Sequence, residues 1–339
     1  MRAWQLTAHG DPRKVLALRE LPDPVPGKGQ VLVRSEGFGL NYADVMAVKG
    51  LYRDAPPPPC VLGYETVGRV ERCGEGVPPG LLGQRVVAMT RFGGLAQMVC
   101  TDHRAVAVLP PDMDLGTAAA MATQGATAWW LAMVAAPLQP GDRVLVHSAA
   151  GGVGHLLVQI AVHRGCEVFA VASGADKLAY LRGLGVRHAT DRSVSDVHGT
   201  LRKILGNEKL DVAFNAVGGR SFPKDMALLG QGGRMVLYGG AERGAGGPLG
   251  TLRFVWNMGL VVPIFLMMKS RSLIGVNMLR LSERWPERVG ACMGAVLHAS
   301  QEGWLRPRSE RPMDALHLPD AMQLLGSGKS IGKVVLRWA

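Results

Sequence analysis

The chain has 339 residues and a mass of 36.1 kDa, which predicts about two domains because a typical domain holds roughly 100–200 residues. Hydrophobic residues make up 47% and charged residues 19%, a composition that excludes disordered, collagen-like and coiled-coil chains. Basic residues exceed acidic ones by 38 − 27 = 11, but they are scattered singly, without the basic stripes of nucleic-acid-binding proteins, so we expect no nucleic-acid partner.

The five cysteines are an odd number, lie far apart and form no CxxC pair, which argues against a disulfide framework. They are Cys60, Cys73, Cys100, Cys166 and Cys292. Charged and polar residues interrupt the first turns after Met1, so no apolar leader is predicted there. We therefore expect a cytoplasmic protein.

Residues 1–122 read as β-strands separated by Gly- and Pro-rich turns, with β-rich runs such as QVLVRSEGFGL and GQRVVAMT. From residue 123 to residue 279 strands alternate with helical stretches, the pattern of parallel βαβ units. Residues 280–339 hold a helix around Val289 to Ser300, an amphipathic run from Pro319 to Leu325 and a last strand, and are expected to complete the first domain. The fold class is α/β, with a doubly wound parallel sheet inserted in a β-rich domain.

A glycine-rich turn between a strand and an amphipathic helix predicts a dinucleotide site. After the strand RVLVHS, the turn comprises Ala149, Ala150, Gly151, Gly152, Val153 and Gly154. Gly151 would let the backbone approach a pyrophosphate, Gly154 would let helix and strand pack closely, and the N–H groups at the helix start would bind the anion. Ala149 occupies the first glycine position of the motif.

Cofactor choice depends on the residues that end the second strand, where an Asp or Glu would bind the ribose 2′-hydroxyl of NAD. This chain has Ala172, Ser173 and Gly174 there, with Lys177 nearby and Arg192 after the next strand. This pattern favours NADPH, although Asp176 next to Lys177 weakens the preference. Ordinary solvated charge is the alternative interpretation of Lys177 and Arg192.

The segment from Phe254 to Met268 is apolar over 15 residues, which is shorter than the roughly 20 residues that a spanning helix needs. We predict a buried helix pair or an oligomer interface. An interfacial membrane segment beside Arg253, Lys269 and Arg271 is the alternative.

Seven segments together resemble the zinc-independent quinone oxidoreductase group of the medium-chain dehydrogenase/reductase superfamily, over nearly the whole chain. The long apolar insert near residues 250–270 is similar to the branch that contains the vesicle amine transport protein homologues. The segments are Gly39–Tyr52, Leu62–Val70, Gly93–Val99, Gly125–Ala132, His147–Gly154, Asp211–Gly219 and Gly328–Leu336.

The resemblance implies a GroES-like catalytic domain, a Rossmann-type cofactor domain and a homodimer. It also implies further cofactor contacts at Asn215 and Val217, at Tyr238 and Gly239, at Asn277 and at Lys333. The zinc-dependent relatives have ligands where this chain has Asn41, Tyr64 and Thr123. These three side chains do not supply the ligands that zinc prefers, so we predict no metal.

Without a Lewis acid, the substrate must already be electrophilic, and the resemblance implies hydride transfer to a quinone or an α,β-unsaturated carbonyl. We assign Asn41 to orienting the carbonyl and Tyr52 to stabilising or protonating the enolate, with Tyr64 closing the same wall. The alternative is a purely structural role, in which Asn41 and Asp44 brace a loop and Tyr64 fills the core. Two alternative functions stay open: an enoyl or 2-alkenal reductase of lipid or secondary metabolism, and a membrane-associated cofactor-binding protein with little turnover.

Overall fold

The computed structural model describes residues 1–245 and 247–339, which form two compact units. Unit 1 comprises Met1–Thr127 and Met278–Ala339, and unit 2 comprises Ala128–Asn277. The domain limits predicted from the sequence, 1–122, 123–279 and 280–339, remain predictions because compactness alone does not test independent folding.

The first part of unit 1 is built mainly of strands, as the β-rich pattern predicts. Its strands are β1 Arg2–Leu6, β2 Leu16–Glu20, β3 Gln30–Leu40, β4 Cys60–Val61, β5 Glu65–Cys73, β6 Arg85–Met89, β7 Met98–Asp102 and β8 Val106–Val108. Its helices are α1 Pro12–Val15, α2 Tyr42–Val48 and α3 Leu115–Ala120. Wider π-helical turns at Met121–Gly125 and Trp130–Ala135 flank α4 Ala126–Trp129, which crosses from unit 1 to unit 2.

Unit 2 alternates strands and helices, which confirms the predicted βαβ pattern. Its strands are β9 Arg143–His147, β10 Glu167–Ala172, β11 His188–Asp191, β12 Leu210–Asn215, β13 Leu229–Leu237 and β14 Ser272–Gly275. The intervening helices are α5 Gly154–His163, α6 Ala175–Gly183, α7 Val197–Leu205, α8 Ser221–Leu228, α9 Gly247–Met258 and α10 Pro263–Met268.

The last part of the chain lies in unit 1. It contains α11 Met278–Arg284, α12 Pro286–Gln301, β15 Met313–Asp314, α13 Leu318–Gly326 and β16 Val334–Arg337. Strand β16 pairs antiparallel with β3, and α13 buries Leu318, Ala321 and Met322 in the same apolar core as β16. Distant parts of the sequence therefore share one core.

Unit 1 holds a seven-stranded sheet in the order β15-β16-β3-β5-β6-β8, with β7 also paired to β3, and a three-stranded sheet in the order β2-β1-β4. Unit 2 holds a six-stranded sheet in the order β11-β10-β9-β12-β13-β14, with every registered pair parallel. Its order reverses between β9 and β12. Open sheets of this kind bind ligands at the carboxyl ends of the strands near such a reversal.

For the apolar segment 254–268, the structure corrects the prediction of a buried helix pair. The structure places two helices and a connecting loop there, but they are not buried within the described chain: Trp256 in α9 is 86% exposed and Leu260 in the loop is 89% exposed. Only part of the segment packs on the core of unit 2, through Met258 and Val261. None of the described helices is long and apolar enough to cross a membrane.

Candidate functional site

The glycine-rich turn lies at the carboxyl end of β9, where the sequence predicts a dinucleotide site. Ser148 has a φ of +51°, and its carbonyl oxygen accepts a hydrogen bond of 2.9 Å from the Gly151 N–H. A Cβ atom at Gly154 would stand 2.2 Å from the same oxygen, so only glycine fits where α5 begins. The turn therefore brings α5 close against the strand and aims the start of the helix at this edge.

The ends of β10 and β11 bring Ser173, Lys177 and Arg192 to the same edge. The Arg192 N–H donates to the Ala172 carbonyl oxygen at 2.8 Å, and Lys177 lies in the first turn of α6. Sequence reasoning missed a carboxylate here: Asp191 accepts hydrogen bonds from the Gly174 N–H at 3.1 Å and from Ser193. These hydrogen bonds, with those from Ser193 the strongest, lower the pKa of Asp191. Two cations and an ionised carboxylate thus share this corner.

The ends of β12 and β13 carry the next predicted contacts, Asn215, Val217, Tyr238 and Gly239. The Asn215 side chain is fully buried, and its Oδ1 accepts hydrogen bonds from the N–H groups of Val217 and Gly218, both at 2.8 Å. The Asn215 side chain thus holds the backbone of the loop that follows β12. The Tyr238 N–H donates to the Asn215 carbonyl oxygen at 3.3 Å, which joins the two strand ends.

Burial holds the pKa of Tyr238 above its usual range. A Cβ atom at Gly239 would stand 2.6 Å from the Ala216 carbonyl oxygen, so the loops after β12 and β13 pass each other closely. Asn277 follows β14, the last strand of the same sheet. All predicted cofactor contacts except Lys333 therefore follow strands at one edge of unit 2.

A buried cluster of His147, His198 and Asp225 lies behind Asn215. The Asp225 oxygens stand 2.9 Å from His147 Nε2 and 2.7 Å from His198 Nε2, and Asn215 Nδ2 donates to Asp225 at 2.6 Å. The two histidines hold the pKa of Asp225 below its usual value despite burial. The ligand atoms of these three residues lie close enough together to hold a metal ion. However, the contacts from the two histidines and Asn215 already satisfy the Asp225 carboxylate, so we interpret the cluster as support for Asn215.

In unit 1, Asn41 lies between β3 and α2, beside a buried ion pair. Lys333 and Glu65 form this pair, and both are fully buried. Lys333 Nζ also donates to Asn41 Oδ1 at 3.0 Å, while the Asn41 backbone N–H donates to Asp44 Oδ2 at 2.8 Å. Lys333 therefore lies with the predicted catalytic residues of unit 1, and its predicted cofactor contact remains a prediction.

Tyr52 and Tyr64 contact each other, with ring centroids 5.9 Å apart in an edge-to-face arrangement. Phe92 also packs on Tyr64, with ring centroids 5.3 Å apart. Burial, with a smaller effect of Asp54, raises the pKa of Tyr52 to about 12, and burial also raises that of Tyr64. Both phenols therefore stay protonated near neutral pH and remain hydrogen-bond donors.

The residues at the zinc positions of the relatives do not form a zinc-ligand set. Thr123 donates its N–H to Glu65 Oε2 at 2.9 Å and its hydroxyl to the Tyr64 carbonyl oxygen at 3.3 Å. Two carboxylates contact this group: Glu65 is already paired with Lys333, and Asp44 accepts a hydrogen bond from the Asn41 N–H. Amide, phenol and hydroxyl side chains are poor ligands for Zn²⁺, so these residues do not fit the metal.

Sequence reasoning did not assign roles to Glu65 and Asp225, although each carries a visible signal. Glu65 is two residues from Val67 in β5, and Asp225 is three residues from both Phe222 and Leu228 in α8, so each acidic residue shares a face with apolar residues. Charged residues on a buried face are rarely left unpaired, so they mark partners elsewhere in the chain. Their partners, Lys333 and His147, cannot be read from local spacing.

Comparison with known proteins agrees with this geometry. Residues 27–128 match the family described as "Alcohol dehydrogenase GroES-like domain", and residues 152–293 match "Zinc-binding dehydrogenase". The human "Synaptic vesicle membrane protein VAT-1 homolog" is 33% identical over 341 residues, covering 99% of this chain and 86% of that protein. The chain belongs to the medium-chain dehydrogenase/reductase superfamily. Within this superfamily of oxidoreductases, it falls in the branch of the VAT-1 homologues.

Two further relatives of this medium-chain dehydrogenase/reductase are relevant to the cofactor and to the type of reaction. The solved structure of mycobacterial Rv1454c, complexed with NADPH, is 28% identical with a TM-score of 0.87 and covers 99% of this chain and 100% of that one. A segment of the Streptomyces venezuelae pikromycin polyketide synthase component PikAII is 32% identical over 322 residues. This match covers 93% of the present chain but 8% of the synthase component. The fold class predicted from the sequence is confirmed by these matches.

Proposed function

We propose that the chain is a zinc-independent, NADPH-dependent oxidoreductase that transfers hydride to a quinone or an α,β-unsaturated carbonyl. The proposal rests on one observation: the predicted cofactor contacts in unit 2 lie together at one edge of its sheet. They surround the turn after β9, which requires glycine at position 154. The NADPH complex of Rv1454c supports the cofactor.

NADPH fits the edge chemically. Gly151 would let the backbone approach a pyrophosphate, and Gly154 lets α5 start close against the strand. Lys177 with Arg192 would hold the 2′-phosphate against the opposing charge of Asp191. Asn215 and Asp225 would keep the loop of Val217 in place. When bound, the nicotinamide supplies the hydride.

Unit 1 supplies groups that suit an electrophilic carbonyl. Asn41 would donate a hydrogen bond to the carbonyl oxygen, where negative charge develops as the hydride adds. Tyr52, protonated at neutral pH, would stabilise or protonate the enolate, and Tyr64 would close the wall beside it. The residues at the zinc positions support a reaction without metal, because their donor atoms do not fit Zn²⁺.

Turnover tests this proposal. NADPH oxidation should be measured with a panel of quinones and 2-alkenals, with and without a metal chelator. We expect turnover with at least one acceptor class that is unchanged by the chelator. Loss of turnover after chelation would contradict the metal-free proposal, and NADPH oxidation with none of the acceptors would contradict the reaction itself.

An enoyl or 2-alkenal reductase of lipid or secondary metabolism is the second candidate. The match to a segment of a polyketide synthase component favours it. It shares the groups of unit 1 and differs in the substrate that the pocket accepts. A rate with enoyl thioesters well above that with quinones would select it.

A membrane-associated protein with little turnover is the candidate of another class. The exposed side chains Leu252, Trp256, Leu260, Phe265 and Met268 favour it, because exposed apolar patches of this kind mark interaction surfaces. Co-sedimentation with liposomes that disappears in Trp256→Ser/Leu260→Ser would support it. High turnover without lipid partition would contradict it.

We also propose a cytoplasmic homodimer. All five cysteines are free thiols, and β14 is an edge strand of the unit 2 sheet, open to pairing with a second copy. Light scattering should give twice the chain mass of 36.1 kDa. A mass of one chain would contradict the homodimer.

A further inference from the structure

The ammonium group of Lys333 is fully buried, so it loses its hydration, and its partners must offset this desolvation. Glu65 supplies the opposite charge, and Asn41 Oδ1 accepts a second hydrogen bond at 3.0 Å. A Cβ atom at Gly39 would stand 2.1 Å from Lys333 Cε, so β3 makes room for the lysine by having glycine there. The pair is therefore built into the strand next to Asn41.

An ammonium group donates hydrogen bonds and accepts none, which decides how the Asn41 carboxamide is turned. Its oxygen must face Lys333, and its Nδ2 must face away. Nδ2 is buried and has no hydrogen-bond partner among the described residues. A buried donor without a partner is unfavourable, so it is a group that a ligand oxygen would satisfy.

We propose that Lys333 is a positioning residue: with Glu65, it holds Asn41 so that Nδ2 points at the carbonyl oxygen of the substrate. This inference rests on the proposed function and deepens it. The positive charge behind the carboxamide also polarises the amide and strengthens the Nδ2 donor where negative charge develops. Asn41 would touch the substrate, and Lys333 would act through Asn41.

The test is a double-mutant cycle that keeps the buried charges balanced. Lys333→Met is combined with Glu65→Gln, which removes both charges together, and the pair is measured with Asn41 and with Asn41→Ala. With Asn41 present, we expect kcat for the best acceptor, measured at saturating NADPH, to fall about 10- to 100-fold. In Asn41→Ala the same pair should change kcat by less than about threefold. Equal losses in the two backgrounds would overturn the inference.

A second variant leaves the buried pair intact, in case the double change impairs folding. Asn41→Asp keeps an oxygen toward Lys333 but removes the Nδ2 donor. We expect kcat to fall at least tenfold while Tm is kept within a few degrees. Unchanged kcat would show that the donor is not used.

The thermal transition separates this inference from the proposed function. Asn41→Ala should lower Tm more in the chain with Lys333 and Glu65 than in the chain with both replaced, because only the former leaves a buried ammonium donor unpaired. An equal Tm loss in both would overturn the contact itself. Absence of NADPH-dependent turnover in the unaltered protein, with the Tm coupling present, would instead overturn the proposed function.

Discussion

At the scale of single residues, Asp44 is a buried carboxyl group beside the candidate catalytic residues. Its side chain is fully buried at the start of α2, and burial raises its pKa to about 7, against the opposing effects of the Asn41 N–H and Lys333. The carboxyl therefore titrates near neutral pH within a few residues of the groups assigned to the carbonyl.

This raised pKa predicts a pH-dependent stability. The unfolded chain loses the Asp44 proton near pH 4 and the folded chain near pH 7, so the contribution of this group is largest at low pH and is lost as the pH rises toward 7. Relative to the wild type, Asp44→Asn should gain in Tm between pH 5 and pH 7, with little further change above. The exposed substitution Asp112→Asn is the control. A Tm difference that stays constant from pH 5 to pH 8 would contradict the assignment.

Tyr52 tests the proton donor of the proposed reaction. Tyr52→Phe keeps the ring against Tyr64 and removes the hydroxyl. We expect kcat with a 2-alkenal to fall at least about tenfold, because a positioned acid contributes roughly 10²–10⁴-fold, while NADPH affinity changes little. Steady-state kinetics and a cofactor titration measure both, with Tyr180→Phe as control. Unchanged turnover would remove Tyr52 from the mechanism.

At the scale of elements, the turn after β9 depends on the contact between Gly154 and Ser148. Gly154 begins α5 where any Cβ atom would meet the Ser148 carbonyl oxygen. Gly183, the last residue of α6, has nothing within 4 Å of its Cβ position. The same substitution should therefore have opposite effects at the two helices.

Gly154→Ala should lower the free energy of unfolding by about 2 kcal/mol or more and weaken NADPH binding, because the turn must move. Gly183→Ala should raise the free energy by up to about 1 kcal/mol, since alanine favours a helix over glycine. Urea unfolding of the two variants compares them directly. A Gly154→Ala protein as stable as the wild type would contradict the close packing.

The corner formed by β10 and β11 tests cofactor choice. Lys177→Ala should weaken NADPH about tenfold and leave NADH nearly unchanged, because only NADPH carries the 2′-phosphate. Arg192→Ala should act in the same direction, and the exposed Lys224 of α8, changed to alanine, is the matched control. Equal weakening of both cofactors would show that Lys177 does not recognise the phosphate.

At the scale of the whole molecule, the elements were predictable and their long-range pairs were not. Apolar runs that alternate with helical stretches predict β9, β10, β12 and β13, and the turn between β9 and α5 follows from its glycines. The pair of Glu65 with Lys333 joins residues from opposite ends of the chain, so no local pattern shows it. The exposure of Trp256 could not be predicted either, because an apolar run has the same sequence pattern whether it faces a core or a surface.

Binding of the cofactor tests the central claim most directly. The purified protein should be titrated with NADPH and, separately, with NADH, and the nicotinamide fluorescence followed. We predict saturable binding of NADPH that is at least about tenfold tighter than that of NADH, because Lys177 and Arg192 add charge-assisted contacts to the 2′-phosphate. Binding of neither cofactor, or tighter binding of NADH, would contradict the proposed NADPH-dependent oxidoreductase.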